Sequence, residues 1–244
     1  MTPEQLLAQI AKQPPAPVYL FLGPEAYQRR MCKHALTERV LGADGQAGLT
    51  QTDLENATLA EVLDDARSLS LFATERLIWV SGAELALPRR TAASNEEGGP
   101  GEATGSALAA YVKQPTAGTV LVFDCSRYDF TGDDRAKLER VEKFYAAVPA
   151  MVEFRRLSPE SSRYFCQDLA KKAGLKLGGK ELAALLDAAA GDASRLAAEI
   201  EKLSLFVGTE RSVTMDDLRA LVPNAAESTI FELVQALGKR NRAE

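Results

Sequence analysis

Three short stretches of the chain are apolar at nearly every position: Val18-Tyr-Leu-Phe-Leu22, Leu77-Ile-Trp-Val80 and Thr119-Val-Leu-Val-Phe123. A strand with one wet face alternates apolar and polar residues, so runs without alternation need cover on both sides. That is the condition of a parallel sheet, whose crossover helices lie above and below it. The sequence between the runs supplies such helices. Thr2 can cap a helix opened by Pro3 and running to about Lys12. Gly23-Pro24 turns the first strand into a helix from Glu25 to Val40. A short polar strand is expected around Leu49 to Leu54. Thr58-Leu-Ala-Glu61 has the form of a capping box, with Leu59, Val62, Leu63, Ala66 and Leu69 making one core-facing stripe behind it.

Beyond the Leu77 strand, Ser94-Asn-Glu-Glu-Gly-Gly-Pro-Gly-Glu-Ala-Thr-Gly105 carries too little apolar surface to order itself and is expected to be a mobile loop. Strands and helices alternate on both sides of it, so one α/β layer continues through. A helix from Ser106 to Lys113, the Thr119 strand, a helix from Asp134 to Val148 and a last strand from Met151 to Phe154 complete the layer. After Arg155-Arg156 the pattern turns helical. Ser158-Pro159-Glu160 caps a helix ending at Gly174, Lys180 to Ala190 forms a second, and Gly191 stops it. Asp192 caps a third, Ala193 to Val207, with Leu196, Ile200, Leu203 and Leu205 as its apolar positions. Thr214 starts a short fourth, and Thr229 to Lys239 reads as a fifth. The expected organisation is an α/β domain over residues 1–157, a small helical domain over 158–224, and the start of a further helical domain over 225–244.

Composition narrows the function classes. With 29 Lys and Arg against 34 Asp and Glu the net charge is -5, which disfavours tight autonomous binding to nucleic acid and leaves room for a local basic face. No apolar run is long enough to span a membrane, and Thr2-Pro3-Glu4 does not open a signal peptide. Cys32, Cys125 and Cys166 are few and widely spaced, fitting a reducing cytoplasm and neither a disulfide framework nor a zinc site.

Candidate chemistry fails piece by piece. Strand-Gly23-helix is where an α/β nucleotide-binding protein places its phosphate loop, here Leu22-Gly-Pro-Glu-Ala-Tyr-Gln-Arg-Arg30. The Lys for the β/γ charge and the Ser/Thr for magnesium are missing, and Glu25 would repel phosphate at the helix start. Gly23, Pro24 and Glu25 thus mark a degenerate phosphate-loop position not expected to bind nucleotide. Gly174-Leu-Lys-Leu-Gly-Gly179-Lys180 matches a phosphate-loop pattern, but Glu181 replaces the Ser/Thr and a helix precedes it; a helix-helix connection explains it better. His34, the only histidine, reads as solvated or partly packed. Asp133-Asp134 and Glu96-Glu97 read as capping or solvated charge. The pairs Arg29-Arg30, Arg89-Arg90 and Arg155-Arg156 read first as plain surface, with contact to DNA or a partner the alternative. No catalytic constellation, metal site or cofactor is expected.

One apolar pair does not fit its helix. At ~100° per residue, Leu71 and Phe72 fall roughly 60 to 80° outside the edges of the Leu59–Leu69 stripe. Core is the commoner fate of such a pair at a helix-to-strand corner; an anchor for a partner protein is the other.

Three stretches together resemble the delta subunits of bacterial DNA polymerase III, the clamp-loader delta family. Pro17-Val-Tyr-Leu-Phe-Leu-Gly-Pro-Glu-Ala-Tyr27 is similar to that family's opening strand and degenerate phosphate loop. Ser70-Leu-Phe-Ala-Thr-Glu-Arg-Leu-Ile-Trp-Val80 is similar to its clamp-binding segment. Gly191-Asp-Ala-Ser-Arg-Leu-Ala-Ala-Glu-Ile-Glu-Lys-Leu203 and Ile230-Phe-Glu-Leu-Val-Gln-Ala-Leu-Gly-Lys-Arg-Asn241 resemble its second domain and the start of its third. The resemblance implies an AAA+-like, RecA-type α/β domain with a parallel sheet, followed by a small helical-bundle lid. It implies a non-catalytic, cytoplasmic subunit of the polymerase III holoenzyme, to which any DNA-directed DNA polymerase or nucleotidyltransferase label belongs.

By the same resemblance Leu71 and Phe72, with Ser70 and Leu69 beside them, grip the sliding clamp (beta subunit) and help open its ring for loading onto primed DNA. Ser194 takes the place of the lid arginine that senses nucleotide in related ATPases, with Arg195 next to it. Other loader subunits, gamma/tau and delta prime, are the implied partners through a collar domain, most of which lies beyond Glu244. Primer-template DNA is the implied substrate of the assembly. The rival readings are an active P-loop ATPase of the same fold and a direct nucleic-acid-binding module.

Overall fold

The computed structural model describes residues 1–42, 45–68, 73–88 and 100–222. They divide into two compact units, one of Met1–Arg156 and one beginning at Leu157.

The first unit is built on a five-stranded, all-parallel sheet in the order β2-β3-β4-β1-β5. Its strands are β1 (Val18–Leu22), β2 (Leu49–Asp53), β3 (Arg76–Ser81), β4 (Thr119–Cys125) and β5 (Ala150–Glu153). The runs without polar alternation are the three interior strands, and β1 is buried at all five positions. Residues on one face of the sheet, Tyr19, Phe21, Leu77, Trp79, Val120 and Val122, pack with Leu6 and Ile10 of helix α1 (Pro3–Ile10) and Cys32 and Leu36 of α2 (Ala26–Leu41). The alternate residues, among them Leu20, Ile78, Leu121 and Phe123, pack with α3 (Leu59–Arg67), α4 (Pro100–Lys113) and α5 (Arg135–Phe144). Phe21 sits edge-on to Trp79 with centroids 5.2 Å apart, and 4.8 Å from Phe154. The polar β2 lies at one edge. At the other, the Met1 carbonyl accepts the Glu153 N–H at 3.0 Å, so the backbone leading into α1 covers β5.

The expected caps are present. Thr2 and Thr58 each form reciprocal capping boxes, with Gln5 and Glu61. Burial pushes the thiols of Cys32 and Cys125 up to about 12, which makes them packing groups and poor nucleophiles. One expectation is corrected. Helix α4 begins at Pro100, not Ser106, so the last part of the stretch read as a mobile loop is helical. Proline's fixed φ suits the first turn of a helix, and Leu108 and Tyr111 hold the rest of α4 to the core. Residues 94–99 lie outside the described ones.

The second unit consists, among the described residues, of α6 (Pro159–Lys172), α7 (Gly179–Ala189), α8 (Ala193–Val207) and α9 (Met215–Leu221). Ala190 and Gly191 both take positive φ, 50° and 80°, and turn α7 into α8. Cys166, Leu182, Leu185, Leu196, Ile200, Leu203 and Leu218 form its core. Leu205, expected among the apolar positions of α8, is 82% exposed. It lies two residues, ~200°, past Leu203, whereas the buried Val207 falls one turn on. The expected helix from Thr229 to Lys239 lies outside the described residues, as do Glu96-Glu97 and Arg89-Arg90.

Around α9, Asp217 closes a capping box with Thr214 and takes two bonds from the Arg211 guanidinium, at 2.6 and 2.9 Å. Arg211, then the Thr214 N–H, hold its carboxyl well below the usual range. A depressed carboxyl contributes stability above its unfolded pKa, near ~3.9, and loses it as pH falls toward its folded value. Acidification below about pH 4 should therefore weaken this unit, and the fall in denaturation midpoint should be smaller in Asp217→Asn. In the first unit, Phe21→Ala should cost about 3–5 kcal/mol in urea denaturation, the range for an emptied aromatic core position.

Candidate functional site

The corner between α3 and β3 is built to hold its two ends together. Helix α3 ends at Ser68, whose N–H reaches the carbonyls of Asp64 and Asp65 and whose hydroxyl donates to the Asp65 carbonyl at 2.7 Å. Strand β3 begins at Arg76, whose side chain is 12% exposed. Its guanidinium grips the Asp65 carboxylate with bonds to both oxygens, at 2.8 and 2.9 Å. The same group donates to the carbonyls of Asp65 and Ser68, at 2.9 and 3.1 Å. One side chain therefore ties the last turn of α3 to the start of β3 across the segment between them. On the other side the Arg76 N–H donates to Gly118 O at 2.7 Å, fixing that start against the loop before β4. Arg67 pairs with Asp64 at 3.1 Å and lies 6.0 Å from the centre of the Tyr111 ring. Leu69, Ser70, Leu71 and Phe72, the residues proposed from the sequence to grip a partner, lie outside the described residues. Arg76 was not singled out in the sequence; its position at the first residue of an apolar strand, where a charge needs a partner, was the available signal.

At the opposite end of β1, the phosphate-loop position is filled by the chain itself. Gly23 adopts φ 107°, a conformation that favours glycine, and a Cβ there would meet the Phe154 carbonyl and the Phe130 ring. The Gly23 N–H donates to Cys125 O at 2.9 Å and the Glu25 N–H to Phe154 O at 3.1 Å, so the turn is fastened to β4 and to the end of β5. Glu25 is the N-cap of α2. Its carboxylate accepts the N–H groups of Tyr27 at 3.0 Å and Gln28 at 2.7 Å, in the place where a helix start would receive a phosphate. The sequence reading had Glu25 only repelling phosphate; it also occupies the donors.

Arg29, expected on the surface, turns inward with its side chain 16% exposed. It donates to the Gly23 carbonyl and stands 3.7 Å from Asp124 at the end of β4. Burial pushes the Asp124 carboxyl up, outweighing the pull of Arg29 and of the Trp79 hydrogen bond. Arg30 is exposed and lies 5.8 Å from the Tyr27 ring centre. Arg155 pairs with Glu153 and covers the Phe130 ring at 3.9 Å, while Arg156 pairs with Asp129 at 2.8 Å. His34 is exposed beside Glu38. Ser194 and Arg195 sit in the first turn of α8, where Asp192 caps the Arg195 N–H at 3.0 Å. Among the described residues no group of three or more His, Cys, Asp or Glu is placed to hold a metal ion, and no helix is long and apolar enough to cross a membrane.

No protein-family model matches the chain. Among curated proteins it is similar to the DNA polymerase III subunit delta of Bacillus subtilis (strain 168), with 28% identity over 229 residues, 93% of this chain and 63% of that protein. The chain thus spans a little under two thirds of that relative's length. Among solved structures it is similar to the Bacillus subtilis DNA clamp loader delta protein (YqeN), with a TM-score of 0.69, 25% identity, and coverage of 99% of this chain and 68% of that one. The likeness to the delta family read from the sequence holds in both sequence and fold, and the expected parallel α/β unit is present.

The two ends of the sheet make separate demands on stability. Arg76→Gln should lower it by roughly 1.5–3 kcal/mol, the range for hydrogen bonds to a charged partner, while Glu25→Ala should cost about 1 kcal/mol as a lost helix cap. Urea titrations of the two variants against the parent chain test both values.

Proposed function

We propose that this chain, delta-like in sequence and fold, serves in a replication clamp loader as the subunit that binds the sliding clamp and helps open its ring. The observation that carries the reading is the similarity to the Bacillus subtilis delta proteins across almost the whole chain. Leu71 and Phe72, supported by Ser70 and Leu69, are the gripping residues. Their segment runs between Ser68 and Arg76, whose mutual bond keeps its ends in register. Two large apolar side chains entering a pocket on the clamp act as interface hot spots. They drive opening only if they bind the open or strained ring better than the closed one, because a ligand shifts an equilibrium by its differential affinity alone.

The chain contributes no ATP hydrolysis of its own in this reading. Glu25 satisfies the helix N–H groups that a phosphate would need, and Arg29 is spent on Gly23 and Asp124. ATP then acts through neighbouring subunits, gamma/tau and delta prime, and the assembled loader acts on primer-template DNA. The proposed organisation is an α/β domain to residue 157, a lid over 158–224 and the beginning of a collar over 225–244.

A clamp-binding titration of the chain against Leu71→Ala/Phe72→Ala tests the central claim. The double variant should lose at least about thirtyfold in affinity, equivalent to one hot spot of ~2 kcal/mol, with an unchanged melting temperature. Equal affinity of variant and parent would sink the reading. A fluorescent ATP analogue should show no micromolar binding to the parent chain; a tight, magnesium-dependent signal would favour the P-loop ATPase instead.

A further inference from the structure

The phosphate-loop-like stretch Gly174 to Lys180 connects α6 to α7, and its surroundings are charged in a way the chain as a whole is not. From Arg163 to Lys180 there are five basic side chains, Arg163, Lys171, Lys172, Lys176 and Lys180, against one carboxylate, Asp168. From Glu181 to Asp217 the balance reverses, with eight carboxylates against three basic residues. Asp168 is itself neutralised by Lys172 at 2.7 Å. The net acidity of the protein therefore hides a basic segment.

That segment forms a shallow concavity of about 390 Å³. Arg163, Gln167 and Lys171 of α6 line it together with Gly174, Gly178 and Gly179, with Leu177 and with the buried Ala170, Leu175 and Leu182. The three α6 residues are exposed and four apart, hence on one stripe of the helix. Among the described residues neither Arg163 nor Lys171 has an ion-pair partner. The stripe is ~12 Å long at 1.5 Å rise per residue. At ~3.4 Å of axial rise per phosphate on one strand, it spans three to four phosphates. Gly179 has open space where a side chain would stand, so a bulky backbone can come close. Leu175, Leu177 and Leu182 share the lining with the cations, so the charge is carried by α6 alone. Long cations on a regular stripe, with a glutamine donor between them, complement a polyanion.

We propose that this face of the second unit is a contact surface for the sugar-phosphate backbone of nucleic acid, bound without sequence preference. Arg163 and Lys171 supply the charge, Gln167 a neutral hydrogen bond, and Lys176 and Lys180 the surrounding field. Glu181, whose carboxylate lies against Gly178, is the acidic residue at the rim and opposes binding. The proposal does not depend on the clamp-binding reading: it concerns different residues in a different unit.

The test is fluorescence anisotropy of a labelled, partly duplex DNA with a recessed end, titrated with the 244-residue chain between 50 and 200 mM NaCl, ~14 to ~7 Å of Debye screening. Parent binding should fall steeply with salt. Arg163→Glu/Lys171→Glu should bind roughly tenfold more weakly at the lowest salt and reduce the log-log salt slope by about two, one per lost phosphate contact. Glu181→Gln should bind more tightly than the parent. Arg163→Ser/Lys171→Ser, gentler on the fold, should move affinity and slope the same way. Circular dichroism and an unchanged melting temperature report whether each variant is folded. Parent-like affinity and slope in both double variants, or no DNA binding by the parent at the lowest salt, would overturn the proposal.

Discussion

Strand β1 lies between β4 and β5 with both its faces buried, and that position governs most of the first unit. Its peptide groups are committed on both edges to neighbouring strands, and its side chains alternate into two separate cores. Nothing at either end of such a strand can shift without unsatisfied backbone or exposed aromatic surface. The turn at Gly23 inherits this rigidity. It leaves the sheet with its N–H on Cys125 and is followed by a Glu25 N–H on Phe154, so the geometry of a phosphate loop is held by hydrogen bonds to protein.

The same economy makes the Gly23 turn a structural joint. A phosphate loop needs donors and a cation with a vacancy between them. Here the carboxylate comes from Glu25, one residue ahead of the helix it caps, and the cation from Arg29, on the following turn. Both charges are covalently attached, so the turn carries its own counterions. Asp124, half-buried, completes the arrangement by balancing Arg29 in a place where a lone guanidinium would be costly.

Much of this was legible in the sequence, and the division follows the range of the interactions. Strands β1, β3 and β4 were readable because two-sided burial writes itself into consecutive residues. The caps at Thr2, Thr58, Ser158, Asp192 and Thr214 were readable because a cap is a hydrogen bond within a few residues of its own helix. Arg29 and Arg76 were not. Their roles depend on Asp124 and on Asp65, and an arginine's direction is set by a partner distant in sequence. Leu205 misled for a related reason, since hydrophobicity marks a residue without saying which side of the helix it occupies. The proposed gripping role of Leu69 to Phe72 rests on family resemblance and on the two secured ends that flank them.

Those secured ends have a mechanical meaning. A pull on the segment between α3 and β3 does not fall on the last turn of the helix alone, which would fray under it. Arg76 shares the load between the Asp65 carboxylate and the backbone of β3, an interior strand whose hydrogen-bonded neighbours on both sides resist sliding. Tension therefore enters an interior strand of the sheet by way of one guanidinium. The sheet is in effect the anvil against which anything attached at that corner can be strained.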